Sequence, residues 1–265
     1  MSILFIDLLG DSHMLRSQLP NRTTLLTVDT TPSTQDVIAS LHQPDRTACI
    51  AQQQTQGRGR LGKTWVSPRD NHLFLSYGDH CSLSASKLQG ITLAFAVTAC
   101  EVIESLFHLP KPLSLKWPND IYYLDKKIGG ILLEVEPSQQ QSSYLILGIG
   151  LNIGTQSCNN QLPEESTSLT AITTSSINTR ALTASILAAW QECLQVFETD
   201  GLHPFLPRWK ARDRLYNQLI SYQLNSCQLE GYAHGINEQG LLLISNHHQQ
   251  QACSPSEISL IRPLV

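Results

Sequence analysis

A chain of 265 residues, 41% hydrophobic and 15% charged, fits an ordinary soluble globular protein with one large folded unit and a small one. Its formal net charge of −4 gives no broad electrostatic reason to bind nucleic acid, and its basic residues gather locally at 58–63 and 207–214. The 7 cysteines are scattered and never spaced C-x-x-C, which argues against a disulfide framework or a zinc knuckle and for a reducing cytoplasm; no stretch approaches transmembrane length.

Residues 1–24 read as a leader without a motif, holding a short strand at most, and nothing before residue 30 leaves room for a DNA-reading helical module. A helix is expected from Ser33 to about His42, opened by a Ser33-x-x-Asp36 capping box. Residues 47–54 form a strand that runs into a glycine-rich loop, and residues 72–77 form a second strand. An apolar-periodic helix is expected over 84–108, with Leu88, Ile91, Phe95, Val102 and Leu106 inward.

Short strands follow at 113–117 and 121–124 around a Pro-Asn-Asp turn, then longer ones at 127–136 and 144–152, the last of them central. A polar loop near 155–168 precedes a helix over about 179–199, with Leu182, Ile186, Ala189, Cys193 and Val196 on one face. A shorter helix runs from about Pro204 to Asp213. Beyond Tyr216 come short alternating strands at 219–224, 227–236, 240–245 and 256–261, with Gly231, Gly235 and Gly240 at the bends. The pattern predicts an α+β domain over 25–214 and a small all-β barrel over 215–265.

Four segments could carry chemistry. Residues 57–64, Gly-Arg-Gly-Arg-Leu-Gly-Lys-Thr, satisfy the pattern G-x-x-x-x-G-K-[ST] of a phosphate-binding P-loop. Such a loop must feed a helix, and Trp65-Val-Ser-Pro-Arg-Asp-Asn71 is a poor helix start. Arg58 and Arg60 instead suggest a glycine loop with guanidinium forks that closes over a phosphate-bearing small molecule. In Lys116-Trp-Pro-Asn-Asp120, Asn119 and Asp120 either present side chains at a strand end, the carboxylate suited to Mg²⁺ beside a nucleotide, or simply make a good turn.

Lys127, followed by Gly129 and Gly130, either aims a point cation at a phosphate or opens a bulged strand with a solvated lysine. Gly148 and Gly150 share one strand face by the period-two rule, baring backbone either to a flat ligand or to close packing; Asn152 ends that strand. No Ser/His/Asp or Cys/His set is legible, the nine histidines show no metal spacing, and His247-His248 reads as an exposed turn. Together these segments could surround an acid being activated by ATP, its anionic adenylate held electrostatically.

In order and approximate spacing, Gln54-Thr-Gln-Gly-Arg-Gly-Arg-Leu-Gly-Lys-Thr-Trp65, Lys116-Trp-Pro-Asn-Asp120, Lys127-Ile-Gly-Gly-Ile-Leu-Leu-Glu134 and Gly148-Ile-Gly-Leu-Asn152 resemble the biotin–protein ligases, from about residue 28 onward. The resemblance implies a class II synthetase-like mixed sheet flanked by helices, a C-terminal SH3-like barrel, and a cytoplasmic enzyme that makes biotinyl-5′-AMP from biotin and Mg·ATP. The biotinyl group would then pass to a lysine of a biotin carboxyl carrier protein domain in a biotin-dependent carboxylase. No DNA or membrane partner is implied, and the chain would be a monomer or a homodimer.

Carried over by position, Ser33, Thr34 and Gln54 would line the biotin pocket, with Gly57, Arg58 and Gly59 in the loop over the ligand. Arg60 would hold the adenylate and Trp65 would wall the site. Lys127 would contact the biotin carboxyl and the α-phosphate, and Gly130 would approach the biotin. Asn119, Asp120 and Asn152 would lie by the nucleotide, Asp120 also as the Mg²⁺ ligand; Arg58, Arg60 and Lys127 would be catalytic. Two departures stand out: Gln35 replaces the usual Asn, and in Ser256-Glu-Ile-Ser-Leu-Ile-Arg262 the arginine falls one place late, so neither is placed in the site. The missing DNA-binding domain fits the monofunctional class. Lipoate ligases share the catalytic fold, and Gly-Arg-Gly with Arg60 favours biotin over lipoate.

Overall fold

The backbone organises around a long central strand whose neighbours on both sides are antiparallel to it. The computed structural model describes residues 4–5, 14–19, 22–67, 69, 71–138, 141–154, 166–225, 227–246 and 249–264. Its first elements are β1 (Leu4–Phe5), β2 (Met14–Gln18), β3 (Thr24–Thr31), α1 (Thr34–Ser40), β4 (Thr47–Gln54) and β5 (His72–Cys81). Then come α2 (Ile91–Leu106), β6 (Ser114–Lys116), β7 (Asp120–Tyr123), β8 (Lys126–Pro137) and β9 (Ser143–Asn152). The chain continues with α3 (Leu169–Ile172), α4 (Thr179–Asp200), α5 (Leu206–Lys210), β10 (Leu219–Leu224), β11 (Cys227–Ile236), β12 (Leu242–Asn246), β13 (Gln249–Cys253) and β14 (Ile258–Pro263).

Nine strands form one mixed sheet in the order β1-β2-β3-β4-β5-β9-β8-β7-β6, the single parallel pair being β3 with β4, joined by α1. Helices α2 and α4 cover one face and bury the larger apolar cluster, while α1 covers part of the other with a small cluster of Val28, Val37, Ile38, Tyr144 and Ile146. That thinly covered face is where a cavity can open.

Several expectations shift by a few residues for identifiable reasons. The helix expected over 84–108 begins only at Ile91: Gly90 adopts φ +83 as its N-cap, and a short 3₁₀ turn at Ala85–Lys87 precedes it. Its end is looser than the pattern suggests, because Leu106 is exposed. On α4 the buried stripe is Leu182, Ile186, Trp190, Cys193 and Phe197, whereas Val196 faces outward. Trp190 and Phe197 fill volume that Ala189 and Val196 could not. The helix expected from Pro204 to Asp213 splits into a 3₁₀ turn at His203–Phe205 followed by α5.

The capping box at α1 is only half made. Ser33 Oγ accepts from Gln35 N at 3.3 Å, but the Asp36 carboxylate pairs with Arg58. The C-terminal strands form an open antiparallel sheet, β13-β12-β11-β10-β14, and among the described residues no pairing joins β13 to β14 to close a barrel. The sequence pattern missed β13, a run of Gln249–Cys253 with little apolar character, and also β2 and β3: the expected leader over 1–24 contributes β1, β2 and the first residue of β3 to the main sheet. Gly235 and Gly240 turn with positive φ, but Gly231 lies inside β11 opposite Ile220. The six described cysteines are free, and no described helix is long and apolar enough to cross a membrane. The expected turn at His247-His248 and most of the polar loop over 155–168 lie outside the described residues.

Candidate active site

The site is built on the α1 side of β5, β9 and β8. Registers Phe74↔Gly150, Ser76↔Gly148, Gly130↔Gly150 and Leu132↔Gly148 place those side chains on one face by strand alternation, and all of them line a single cavity of about 340 Å³. The glycines leave room above the sheet, and the chain fills part of it itself. A Cβ on Gly150 would lie 2.6 Å from Trp65 Cε2, and one on Gly148 would lie 3.2 Å from the Gln35 amide.

The floor of the cavity is a hydrogen-bonded chain. Gln54 Oε1 accepts from Thr34 N at 2.9 Å and from Thr34 Oγ1 at 3.2 Å, and Thr34 Oγ1 lies 2.7 Å from Ser76 Oγ. Gln54 Nε2 donates to Ser67 Oγ at 3.1 Å, and Ser67 Oγ to the Trp65 carbonyl at 2.9 Å. One glutamine therefore ties the start of α1 to the end of the glycine loop. Ser33, Thr34 and Gln35 are all buried there.

The loop itself is a short hairpin. Trp65 N donates to Gly57 O at 2.8 Å, Arg58 bridges Thr64, and Gly59 N donates to Lys63 O at 2.6 Å. Its tip is the turn Arg60–Gly62, where Leu61 (φ 55) and Gly62 (φ 71) are left-handed. No helix follows; the next named element is β5 at His72, so the P-loop pattern is coincidental here. Gly57 serves the hairpin rather than the cavity: a Cβ there would lie 2.4 Å from Ser67 Oγ.

The charges divide into two sets. Arg58 is engaged by Asp36 of α1 and by Glu134 of β8 at 2.9 Å; burial works against its charge, but the two carboxylates outweigh burial and hold it firmly protonated. Lys127 Nζ donates to Asp120 Oδ1 at 2.6 Å and sits 5.1 Å above the Trp65 ring. Arg60, Lys63, Lys116 and Arg262 have no carboxylate within ion-pair reach among the described residues. Burial pulls the Arg60 and Lys116 pKa values down, with Asp120 opposing in both cases. Arg60 instead donates to the Pro255 carbonyl at 2.6 Å, drawing the loop toward the C-terminal sheet.

Of the residues expected from sequence, Ser33, Thr34, Gln54, Arg58, Gly59, Arg60, Trp65, Asn119, Asp120, Lys127 and Gly130 meet on this one cavity. Gly57 and Asn152 are not on its wall. Asn152 is buried, its Nδ2 donating to Thr167 O at 2.9 Å, and Asn119 spends its amide on Ile131 O at 2.7 Å, clamping the turn to β8. Gln35, Ser76, Lys116 and Arg262 also line the cavity, though sequence reasoning gave them no role.

Arg262 reaches the wall next to an irregular strand pairing. Ser221 pairs with Arg262 and Gln223 with Ser259, so Tyr222 alone faces both Leu260 and Ile261 across a bulge at which Leu260 takes φ 51. Beyond the bulge, Arg262, which the sequence reading left out of the site, lines the cavity wall. Among the described residues, Asp120 is the one carboxylate on the wall that could meet a divalent metal, and no cluster of three or more His, Cys, Asp or Glu exists. That donor set suits a Mg²⁺ carried by phosphates rather than a resident ion.

Residues 27–152, which contain nearly all of this geometry, match the model of the Biotin/lipoate A/B protein ligase family. That match spans just under half of the chain. The chain is 28% identical over 253 residues to the bifunctional ligase/repressor BirA of Salmonella typhimurium, covering 94% of this chain and 78% of that protein. Over 222 residues it is 27% identical to the biotin–[acetyl-CoA-carboxylase] ligase of Paracoccus denitrificans, covering 79% of this chain and 88% of that one. The biotin protein ligase from Aquifex aeolicus in complex with biotin and ATP superposes with a TM-score of 0.75 at 27% identity, over 91% of this chain and 99% of the other.

Proposed function

We propose that the protein is an ATP-dependent biotin–protein ligase that makes biotinyl-5′-AMP and passes the biotinyl group to a lysine of a biotin carboxyl carrier protein domain. One observation carries the reading: a neutral polar floor (Thr34, Gln54, Ser76, Gln35) and a cationic rim (Arg60, Lys63, Lys116, Lys127, Arg262) share one cavity. A ureido ring has N–H and C=O groups for such a floor, whereas the dithiolane of lipoate has none, so the floor favours biotin. The solved relative with biotin and ATP supports the same pairing of ligands.

In the first step an oxygen of the biotin carboxylate forms a bond to the α-phosphorus, and the bond from that phosphorus to the bridging oxygen breaks, its electron pair leaving on pyrophosphate. Lys127 is placed to steady the crowded negative charge between carboxylate and phosphate, shielded from water by Trp65. Mg²⁺, when bound with the nucleotide at Asp120, neutralises phosphate charge. Because Lys127 Nζ already donates to Asp120, the ammonium is preset at the site and need only share its protons with the ligand. In the second step the neutral acceptor amine attacks the acyl carbon, AMP leaves with the electron pair, and the amine loses a proton.

Biotin-dependent exchange of pyrophosphate into ATP tests the reading; folded protein that exchanges nothing with biotin, ATP and Mg²⁺ would sink it. Lys127→Ala is expected to slow exchange by about 100-fold or more, the scale of losing one preorganised charge contact, with its melting curve preserved. Near-normal exchange by that variant removes Lys127 from the catalytic residues.

A further inference from the structure

Trp65 is seated without a hydrogen bond from its own ring. The indole N–H is buried and finds no acceptor among the described residues, and the ring crowds the bare backbone of Gly150. A buried donor left unpaired weakens whatever arrangement buries it, so something else must hold the ring there. The loop's way in is fixed by backbone, Thr55 N donating to Thr31 O and Gln56 N to Pro32 O, both at 2.9 Å. Its way out is held differently. Between Trp65 and Arg69 the described residues make one longer backbone bond to the sheet, Gln54 N to Ser67 O at 3.3 Å, and the remaining ties are side chains.

Arg69 lines no part of the cavity, yet it is the hub of a dense set of hydrogen bonds. Its Nη1 donates to Asp29 Oδ1 at 2.7 Å and to Gln52 Oε1 at 3.2 Å, and its Nη2 to Asp29 Oδ2 at 2.5 Å and to Thr30 Oγ1 at 3.1 Å. Registers Val28↔Ala51 and Thr30↔Gln53 set Asp29 beside Gln52 on one face of the parallel pair β3 and β4, so one planar fork meets both strands. An isolated exposed ion pair is worth little; a two-pronged pair with further bonds is the geometry in which such contacts count. We propose that Arg69 is a positioning residue: by clasping β3 and β4 it holds the segment leaving the loop, and so keeps the Trp65 indole seated over Gly150 before any ligand arrives. Without the clasp only a fraction of molecules have that wall in place, and apparent affinity falls by the same fraction while turnover of the bound complex does not. The reaction served rests on the ligase reading; the seating of Trp65 does not.

Trp117, Trp190 and Trp209 are fully buried and Trp65 is half-buried, so acrylamide quenching of tryptophan fluorescence in the ligand-free protein reads Trp65, with Trp65→Phe as the blank. In Arg69→Ala that quenching is expected to rise by about twofold and the KM for biotin in pyrophosphate exchange by about three- to tenfold, with kcat within about twofold of wild type. Asp29→Ala should reproduce both changes, and the double variant should be no worse than either single one, because each removes the same contact. Arg69→Lys, a point charge without the fork, should recover only part of the loss. Quenching and KM unchanged in Arg69→Ala, or effects of the two single substitutions that add, would overturn the proposal. Should Arg69→Ala melt early, Asp29→Asn, which removes the charge and keeps the shape, takes its place under the same criteria. Failure of the ligase reading would look different: wild type would exchange no pyrophosphate, while the quenching comparison, made without ligands, would still decide the clasp.

Discussion

Gly150 is where the sheet and an aromatic ring approach most closely in the cavity. An alanine methyl there would lie 2.6 Å from Trp65 Cε2, 2.7 Å from its Nε1 and 2.9 Å from its Cζ2, distances real Cβ atoms do not show. The ring would have to leave the bare strip of backbone and with it the place under Lys127. Gly150→Ala is expected to destabilise by about 1–3 kcal/mol, the range for overpacking. If the ring is the obstacle, the same substitution made on Trp65→Ala costs close to nothing, because the two positions are coupled. Thermal melts of the four proteins decide it, and an equal cost in both backgrounds would refute the contact. The period-two rule had placed Gly148 and Gly150 on one face; what covers them, Gln35 and Trp65, is a long-range fact no local pattern carries. The same holds for the charges. Arginines and lysines at 58, 60, 116 and 127 are plain in the sequence, but which are neutralised depends on Asp36 and Glu134 arriving from α1 and β8. Exposed pairs of that kind are worth only about 0–1 kcal/mol each, so they steer the loop more than they stabilise the fold.

At the level of elements, most apolar strands from β4 onward were legible from sequence to within a few residues, because burial on a sheet writes itself as alternation, but the buried strand β3 was not expected. Elements whose limits depend on a backbone special or that lack apolar character were not legible either: α2 starts only after Gly90, and β13 is a polar edge strand. The β14 bulge is the sharpest case. Burial along it runs Ile258 in, Ser259 half, Leu260 out, Ile261 in, Arg262 out, and the alternation breaks at Leu260 alone. Removing Leu260 would leave in, half, in, out, restoring period two with Tyr222 opposite Ile261. It would also remove a left-handed leucine, a conformation that costs about 1–2 kcal/mol. The deletion variant is therefore expected to melt no lower than wild type and to keep pyrophosphate exchange, since Arg262 stays opposite Ser221. A melting temperature lower by about 10 °C, more than the removal of a strained exposed residue can cause, would mean the bulge is needed for packing.

On the scale of the whole molecule, the C-terminal sheet is welded to the catalytic sheet rather than tethered to it. A single apolar cluster runs from Leu93, Phe95 and Trp117 through Leu202 and Trp209 to Ile220, Leu242 and Ile258. At the seam Gly240 takes φ 77, where a methyl would lie 2.8 Å from Leu93 Cδ1 and 3.0 Å from the Gly90 Cα. Two glycines are what lets the chains pass so closely. A protein ending after residue 214 would expose that seam, leave the buried Trp117 N–H without Gly240 O, and release Arg60 from Pro255. An orphaned buried donor alone costs about 1–3 kcal/mol, and each large apolar side chain exposed costs a similar amount, against a total stability of about 5–15 kcal/mol. The sum reaches the whole margin. The full chain is accordingly expected to melt in one transition seen alike by far-ultraviolet circular dichroism and tryptophan fluorescence, and the 1–214 fragment to show no cooperative melt. A fragment that melts cooperatively and still exchanges pyrophosphate would show that the catalytic sheet stands alone, and that its contacts with β10–β14 are incidental to the fold.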